Sequence, residues 1–141
     1  MKTELYRILD ANLNRSREGL RVCEEIARFV LNSAPLTKEL KSMRHAIASG
    51  VRELPRGSAL LLAARNSRDD VGRSSRLSTE MTRSNYRDLF IANMQRVKES
   101  LRVLEEFSKL CDIRIALRFQ RLRFRAYEIE KKTVGRLPAG R

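Results

Sequence analysis

Apolar residues recur every three or four positions through most of the 141-residue chain, the spacing that gathers them on one face of an α-helix. Residues 3–32 keep this pattern without a proline and therefore predict one long helix. A second helix is expected from Pro35 onward, because Asn32 or Ser33 supplies a cap and proline suits the first helical turn. Pro55 closes this second segment.

The second half of the chain returns to the same periodic pattern after an irregular connection. A third helix is expected from about Ser84 to Leu110, and a fourth over 113–133 with Asp112 as its cap. Between the halves, the apolar run 59–64 fits either a helical turn or a buried extended piece. The polar stretch 65–75 has no period, and a connection of this kind is usually functional or disordered.

The predicted third helix carries a copy of the first. Residues 11–26 and 92–107 are identical at nine of sixteen aligned positions. This duplication predicts an all-α fold, an antiparallel bundle of about four helices with an internal two-fold repeat. We expect one domain over residues 1–134, with 135–141 as a flexible tail or the start of a linker.

Each copy places an asparagine and an arginine among the apolar residues of one helical face, Asn12 with Arg15 and Asn93 with Arg96. Burial of such groups is costly unless they are paired or bind something. The pattern predicts a polar pocket inside the core, where the four side chains approach a shared axis. Whether they hold a ligand or form a structural network stays open. Gly19 lies on the same face and indicates close approach of another backbone or a ligand.

The predicted fourth helix is apolar on two sides, which favours packing between two partners, within the bundle or across an oligomer interface. Four arginines lie between the two stripes: Arg114, Arg118, Arg121 and Arg125. Such a row is typical of a solvated face, and it also permits an interpretation in which the chain binds nucleic acid. The small number of aromatic residues available for base stacking makes that interpretation the weaker one.

The composition indicates which class of partner and which cellular compartment to expect. A net charge of +13 with abundant arginine favours anionic partners, because the planar guanidinium binds two phosphate oxygens at once. No apolar run is long enough to span a bilayer and no signal-peptide pattern opens the chain, so the cytoplasm is the expected location. Cys23 and Cys111 are expected to be small buried thiols, since two cysteines make neither a disulfide framework nor a zinc site.

Two further segments carry candidate chemistry. The loop 65–72 combines arginines with Asp69 and Asp70, a set that can hold phosphate and Mg²⁺, although an ordinary Asp-rich turn also explains it. Arg44 and His45 stand together on the second helix. The single histidine is either a polar residue at a helix edge or part of an anion site.

Taken together, several segments resemble one known family: 11–25, 40–45, 64–72, 92–106 and 123–131. It is the helical hydroxymethylpyrimidine phosphate kinase family of thiamin biosynthesis, whose members also occur as an amino-terminal domain fused to thiamin phosphate synthase. The resemblance covers roughly residues 5–132. It implies an ATP- and Mg²⁺-dependent kinase that converts 4-amino-5-hydroxymethyl-2-methylpyrimidine phosphate to the pyrophosphate.

The resemblance also implies roles for individual residues. Asp70 and Arg65 are the expected catalytic residues, and Asp69 with Asp70 the expected metal ligands. Seven residues are expected to bind substrate or nucleotide: Asn12, Arg15, Arg44, His45, Gly72, Asn93 and Arg96. The main alternative is a non-catalytic helical interaction module that serves thiamin phosphate synthase or a homo-oligomer.

Overall fold

The computed structural model describes residues 2–53, 57–74 and 82–139, and in these ranges the chain forms helices and turns without a strand. Five α-helices follow one another: α1 (Lys2–Glu25), α2 (Ala34–Arg52), α3 (Gly57–Ala64), α4 (Tyr86–Ser108) and α5 (Ile113–Val134). The all-α prediction is confirmed, and the apolar run 59–64 is part of a helix. Pro55, Ser75, Gly140 and Arg141, on which parts of the predictions fall, lie outside the described residues.

The first predicted helix ends in a π-helical turn, Ile26–Val30, rather than continuing as α-helix. Asn32 then takes a φ of 50°, a left-handed conformation that asparagine tolerates better than most residues, and this reverses the chain. Ser33 begins the next helix as predicted, because its Oγ accepts a hydrogen bond from the backbone N–H of Leu36 at 3.3 Å.

The second pair of helices begins on side-chain caps of the same kind. Asn85 Oδ1 accepts from the N–H of Asp88 at 2.8 Å at the start of α4. Asp112 Oδ1 accepts from the N–H of Arg114 at 2.8 Å at the start of α5, which confirms the predicted cap.

Helices α1 and α4 form the centre of the bundle and run antiparallel. Cys23 Sγ lies 3.7 Å from the carbonyl oxygen of Phe90, and Gly19 packs on Asn93 and Val97. A Cβ at position 19 would lie 3.0 Å from the Asn93 carbonyl oxygen and 2.9 Å from Val97 Cγ2. The predicted close approach at Gly19 is therefore confirmed, and the approaching group is the backbone of α4.

Helices α2 and α5 flank this central pair and run antiparallel to each other. Lys132 Nζ lies 2.7 Å from Glu39 Oε2 at one end of the contact. At the other end Gly50 faces the ring of Phe119, and Arg118 pairs with Glu53. The two helical hairpins, α1–α2 and α4–α5, correspond to the two halves of the sequence repeat.

Six buried positions of α1 and the following π turn have buried counterparts on α4, 81 positions later. They are Leu9, Leu13, Ser16, Leu20, Cys23 and Ala27, with Phe90, Met94, Val97, Leu101, Leu104 and Ser108. Arg15 and Arg96 lie at the edge of these faces and are exposed. The prediction of a polar pocket inside the core is thus wrong, because helical periodicity carries both arginines to the rim.

The segment expected as a free tail packs on the bundle for its first residues. Leu137 is buried in the core, and Arg136 Nη1 donates to Ser33 Oγ at 3.2 Å. The predicted domain boundary at residue 134 stays a prediction.

The two cysteines lie in different environments. Cys23 is fully buried as predicted, and burial raises the pKa of its thiol. Cys111 is exposed, which contradicts the prediction, because α4 ends at Ser108 and the chain turns toward solvent before α5.

Candidate functional site

A bidentate ion pair joins α1 to the loop that follows α3. Arg65 Nε donates to Asp10 Oδ2 at 2.8 Å, and Arg65 Nη2 donates to Asp10 Oδ1 at 2.7 Å. The Asp10 side chain is nearly buried, whereas that of Arg65 is about half exposed. These hydrogen bonds are the main cause of the raised pKa of Arg65. Two parallel bonds fix the plane of the guanidinium, so Asp10 determines where Arg65 points.

The loop after Arg65 is held by hydrogen bonds of its own. Asn66 Nδ2 donates to Asp69 Oδ2 at 3.1 Å, and the N–H of Asp69 donates back to Asn66 Oδ1 at 3.2 Å. Asp70 Oδ1 accepts from the N–H of Gly72 at 2.9 Å. Arg7 ties the loop to α1 by donating from Nη2 to the Asn66 carbonyl oxygen at 3.3 Å. Short polar side chains bonded to nearby backbone explain the composition of this turn.

A cleft of about 430 Å³ lies between α1 and this loop, and we call it the α1–loop cleft. It brings together four of the predicted site residues: Asn12, Arg15, Arg65 and Asp70. Asn12 Nδ2 donates to the Ile8 carbonyl oxygen one turn earlier at 2.8 Å. Arg15 has no acidic partner within the described part of the chain, so its guanidinium is available to an anionic ligand.

The second Asn–Arg pair lies elsewhere. Asn93 Nδ2 donates to the Leu89 carbonyl oxygen of its own helix at 2.8 Å, and neither Asn93 nor Arg96 lines the α1–loop cleft. Because Gly19 faces Asn93 in the antiparallel pair, Asn12 lies about seven residues, or roughly 10 Å, further along the α4 axis. The prediction that the two pairs meet at a shared axis is wrong, and the ligand roles of Asn93 and Arg96 stay predictions.

Arg44 and His45 do not line the α1–loop cleft either. Arg44 Nη2 lies 3.4 Å from Glu24 Oε2, and Glu24 is buried. His45 is exposed, and its carbonyl oxygen accepts from Ser49 Oγ at 3.0 Å. Arg44 thus satisfies a buried carboxylate, while any role of either residue in phosphate binding stays a prediction.

The predicted metal ligands, Asp69 and Asp70, accept hydrogen bonds from other residues of their own loop. The Asp69 and Asp70 carboxylates accept the bonds from Asn66 and from the N–H of Gly72 described above. Among the residues that the structure describes, no group of three or more histidine, cysteine, aspartate or glutamate side chains is placed to hold a metal ion. These residues do not fit a metal site built by the protein alone.

The outer face of α5 carries apolar side chains that the described structure covers only in part; Lys98 Nζ, for example, lies 4.9 Å from the centroid of the Tyr127 ring. Four side chains on it are between 41% and 57% exposed: Ile113, Leu117, Phe124 and Tyr127. We call this set the α5 stripe. Of the arginine row beside it, Arg114 pairs with Asp112 at 2.8 Å, whereas Arg121 and Arg125 have no acidic partner in the described ranges.

Comparison with known proteins extends over nearly the whole chain. The model of the ThiD2 family matches residues 7–132. The chain belongs to the ThiD2 family. No solved structure matches it.

The relatives of this ThiD2 family chain are much longer than it is. A protein named thiamine-phosphate synthase from Synechocystis sp. is 44% identical over 133 residues, which are 94% of this chain and 37% of that protein. Proteins of the same name from Nostoc punctiforme and Rhodopirellula baltica are 42% and 38% identical, over 93% of this chain and 36% of their own length. The chain therefore spans a little over a third of the length of these curated relatives.

These names correct one expectation from the sequence. The resemblance implies an ATP-dependent phosphomethylpyrimidine kinase, whereas the relatives at 44%, 42% and 42% identity are named thiamine-phosphate synthase and not kinase. The comparisons contradict the kinase assignment and agree better with the alternative, a helical module associated with the synthase. In the ranges described, no helix of this ThiD2 family chain is long and apolar enough to cross a membrane.

Sequence reasoning missed the residue that organises the site of this ThiD2 family member. Asp10 has Ile91 as its counterpart in the second repeat, so a carboxylate replaces an apolar residue at an otherwise equivalent position. That difference between the copies was the available signal. Arg7 was also missed, and its link to the loop backbone has no local pattern that would reveal it.

Proposed function

We propose that this chain is a helical interaction module of thiamin biosynthesis that associates with thiamine-phosphate synthase through the α5 stripe. Two findings support this proposal. The chain matches the ThiD2 family model over residues 7–132. Its relatives are named for the synthase and carry further chain beyond the matched region, so in them this region shares a polypeptide with a larger remainder.

The observation that carries the proposal is a contrast between the two halves. Helix α2 begins at Ala34 and α5 at Ile113, 79 positions later, and their buried faces correspond at that spacing. At the four positions of the α5 stripe, α2 has small or polar residues instead: Ala34, Lys38, His45 and Ala48. Equivalent positions in one fold have the same need for core packing, so the apolar residues of α5 need another explanation. Contiguous exposed apolar surface of this kind marks an interaction site.

The charge around the stripe favours a different protein over a second copy. Arg121 and Arg125 adjoin the apolar residues and have no acidic partner within the described ranges. Two copies joined through this face would bring these arginines together, and like charges at an interface oppose association. We therefore propose a synthase surface with an apolar centre and an acidic rim. The predicted homo-oligomer is the competing occupant.

The ligands implied by the resemblance are proposed for the α1–loop cleft as binding partners. Arg15 would contact the phosphate of the pyrimidine phosphate or of ATP, and Asn12 would hydrogen-bond a polar group beside it. Mg²⁺ would enter with the phosphate, since this ion commonly binds through one or two carboxylates together with substrate phosphates. Calorimetric titration with each ligand, alone and with Mg²⁺, tests these proposals.

The association is tested by titrating the full chain into thiamine-phosphate synthase from the same organism and measuring the dissociation constant. We expect Leu117→Glu and Phe124→Glu each to weaken binding by about tenfold or more, because each places a charge inside an apolar interface. Val71→Glu is the matched control, since Val71 is 98% exposed on the loop and distant in sequence from α5.

Light scattering of the chain alone distinguishes the two candidate occupants of the α5 stripe, the synthase and a second copy of this chain. A monomer that binds the synthase supports the proposal. A dimer that dissociates in Leu117→Glu and Phe124→Glu assigns the stripe to self-association and overturns it. No binding to the synthase at micromolar concentrations also overturns it.

A further inference from the structure

Arg65 lines two separate depressions, one on each side of its ion pair with Asp10. The first is the α1–loop cleft. The second, of about 280 Å³, lies between α1, α2 and α3 and is lined by Asp10, Asn14, Arg17, Arg52, Leu62 and Arg65 among others; we call it the arginine groove. The bidentate pair engages Nε and Nη2 of Arg65. A guanidinium has five N–H donors, so three remain for another acceptor.

The two depressions differ in charge. The α1–loop cleft is lined by three arginines, Arg7, Arg15 and Arg65, and by three carboxylates, those of Glu4, Asp10 and Asp70. Among the described residues, the arginine groove is lined by three arginines and by one carboxylate, that of Asp10. The groove therefore holds an excess of two positive charges, whereas the cleft is balanced.

Within residues 2–53, 57–74 and 82–139, no carboxylate besides Asp10 neutralises the arginines of the groove. Arg17 and Arg52 have no acidic partner among the described residues, in contrast to Arg21, one turn further along α1, which pairs with Glu24 at 2.7 Å. Apolar side chains form part of the same wall, notably Leu61, which is buried. Apolar walls lower the local dielectric and strengthen the attraction of the arginines for an anion.

We propose that the arginine groove binds a small phosphorylated molecule and that Arg17, Arg52 and Arg65 contact its phosphate or diphosphate group. Arginine suits such a group because its planar fork bonds two oxygens at once. Asp10 acts as a positioning residue, since it holds Arg65 by Nε and Nη2 and leaves the other donors free. This site is separate from the α5 stripe and does not depend on the association proposed above.

The shape of the groove favours a small molecule over a nucleic acid. A depression of about 280 Å³ bordered by three helices accommodates one or two phosphate groups, and among the described residues no aromatic side chain lines it for base stacking. Single-strand binding uses a long cationic track with such stacking platforms.

The test uses the 141-residue chain and inorganic pyrophosphate as the probe, with the dissociation constant measured by calorimetry at low and at physiological salt. We expect Arg17→Gln and Arg52→Gln each to weaken binding about tenfold, the effect of losing one charged hydrogen-bonding group. Arg121→Gln is the matched control, because it removes the same charge from an exposed arginine without an acidic partner on α5, and it should change the constant by less than about twofold. Circular dichroism establishes that each variant is folded.

Asp10→Asn distinguishes positioning from general electrostatics. This change removes one negative charge and so raises the net charge of the groove by one unit. A purely electrostatic site would therefore bind pyrophosphate more tightly. If Asp10 positions Arg65, the variant binds more weakly. Equal weakening in the control and groove variants, or an absence of pyrophosphate binding to the parent chain, would overturn the proposal. Displacement of pyrophosphate by an equal concentration of duplex DNA, with loss in the same variants, would also overturn it in favour of nucleic acid.

Discussion

Arg65 holds the nearly buried carboxylate of Asp10 by two parallel hydrogen bonds, at 2.7 and 2.8 Å, across 55 positions of sequence. Among the described residues, removal of the arginine leaves Asp10 with the amide of Asn14 as its one side-chain donor, whose Nδ2 lies 3.4 Å from Oδ1. We expect Arg65→Gln to lower the free energy of unfolding by about 1–2 kcal/mol, less than for a fully buried pair because Arg65 is half exposed. Urea denaturation measures this loss.

Two controls separate the ion pair from the loop around it. Arg68→Gln removes a neighbouring loop arginine without an acidic partner in the described ranges and should change stability by less than about 0.5 kcal/mol. Asp10→Asn combined with Arg65→Gln should cost less than the two single changes added together, because the double variant leaves no unpaired charge. Additive losses would show that the two side chains do not stabilise each other.

Gly19 allows a close contact between the two repeats. Replacement by alanine gains about 1 kcal/mol of helix propensity, but the new Cβ meets the Asn93 carbonyl oxygen at 3.0 Å, and backbone cannot move aside without shifting α4. We expect Gly19→Ala to lower the free energy of unfolding by about 1–3 kcal/mol, measured by thermal or urea denaturation.

Gly50 supplies the comparison for this change. A Cβ there meets only the Phe119 ring, at 3.2 Å from Cζ, and a side chain adjusts more readily than a backbone. Gly50→Ala should therefore cost less than about 1 kcal/mol. If both alanine variants are equally stable, the α1–α4 distance is not set by Gly19.

The periodic pattern predicted the helices, the Ser33 and Asp112 caps and the two-fold repeat because these depend on residues near one another in sequence. It failed for Arg15 and Arg96, where a helical face is broad enough that its edge residues reach solvent. Which arginine meets Asp10 depends on where α3 and its loop return to α1, and no local pattern reports that. The resemblance implies a role for the loop at Arg65, whereas the ion pair between Arg65 and α1 is visible only in the folded structure.

The two repeats each bury a glutamate against an arginine of the next helix. Glu105 accepts from Arg123 Nε at 2.9 Å, and Glu24 lies 3.4 Å from Arg44 Nη2. Glu24 also pairs with Arg21 at 2.7 Å. When Arg123 is lost, the one partner that Glu105 keeps within the described part of the chain is the neutral Gln120 amide, at 3.2 Å.

This difference between the repeats predicts unequal effects of the same substitution. We expect Arg123→Met to lower the free energy of unfolding by about 3–4 kcal/mol and Arg44→Met by about 1–2 kcal/mol. Chemical denaturation of both variants checks the order. Adding Glu105→Leu to Arg123→Met should recover most of the loss, because the unpaired carboxylate is then absent. A larger effect of Arg44→Met would contradict the assigned pairing.

The cysteines differ in accessibility, and their labelling tests the end of α4. Cys111 is exposed to solvent. Nearby protein atoms still partly desolvate its thiol, and this desolvation, together with the negative charge of Asp112, raises the pKa of the thiol. Since the thiolate is the reactive form, we expect labelling of one thiol per native chain, slower at neutral pH than for an unhindered thiol and faster as the pH rises. A disulfide-exchange reagent that releases a coloured thiol measures the rate.

Cys111→Ser should abolish this native-state labelling, because Cys23 is fully buried and its pKa is raised by desolvation. Denaturant should then expose Cys23, so that two thiols react in the parent chain and one in the variant. Asp112→Asn should speed the labelling of Cys111 at neutral pH, since it removes the negative charge that disfavours the thiolate. Rapid labelling of Cys23 in native Cys111→Ser protein would instead mean that α1 and α4 separate readily, because its sulfur lies in their contact at the Phe90 carbonyl.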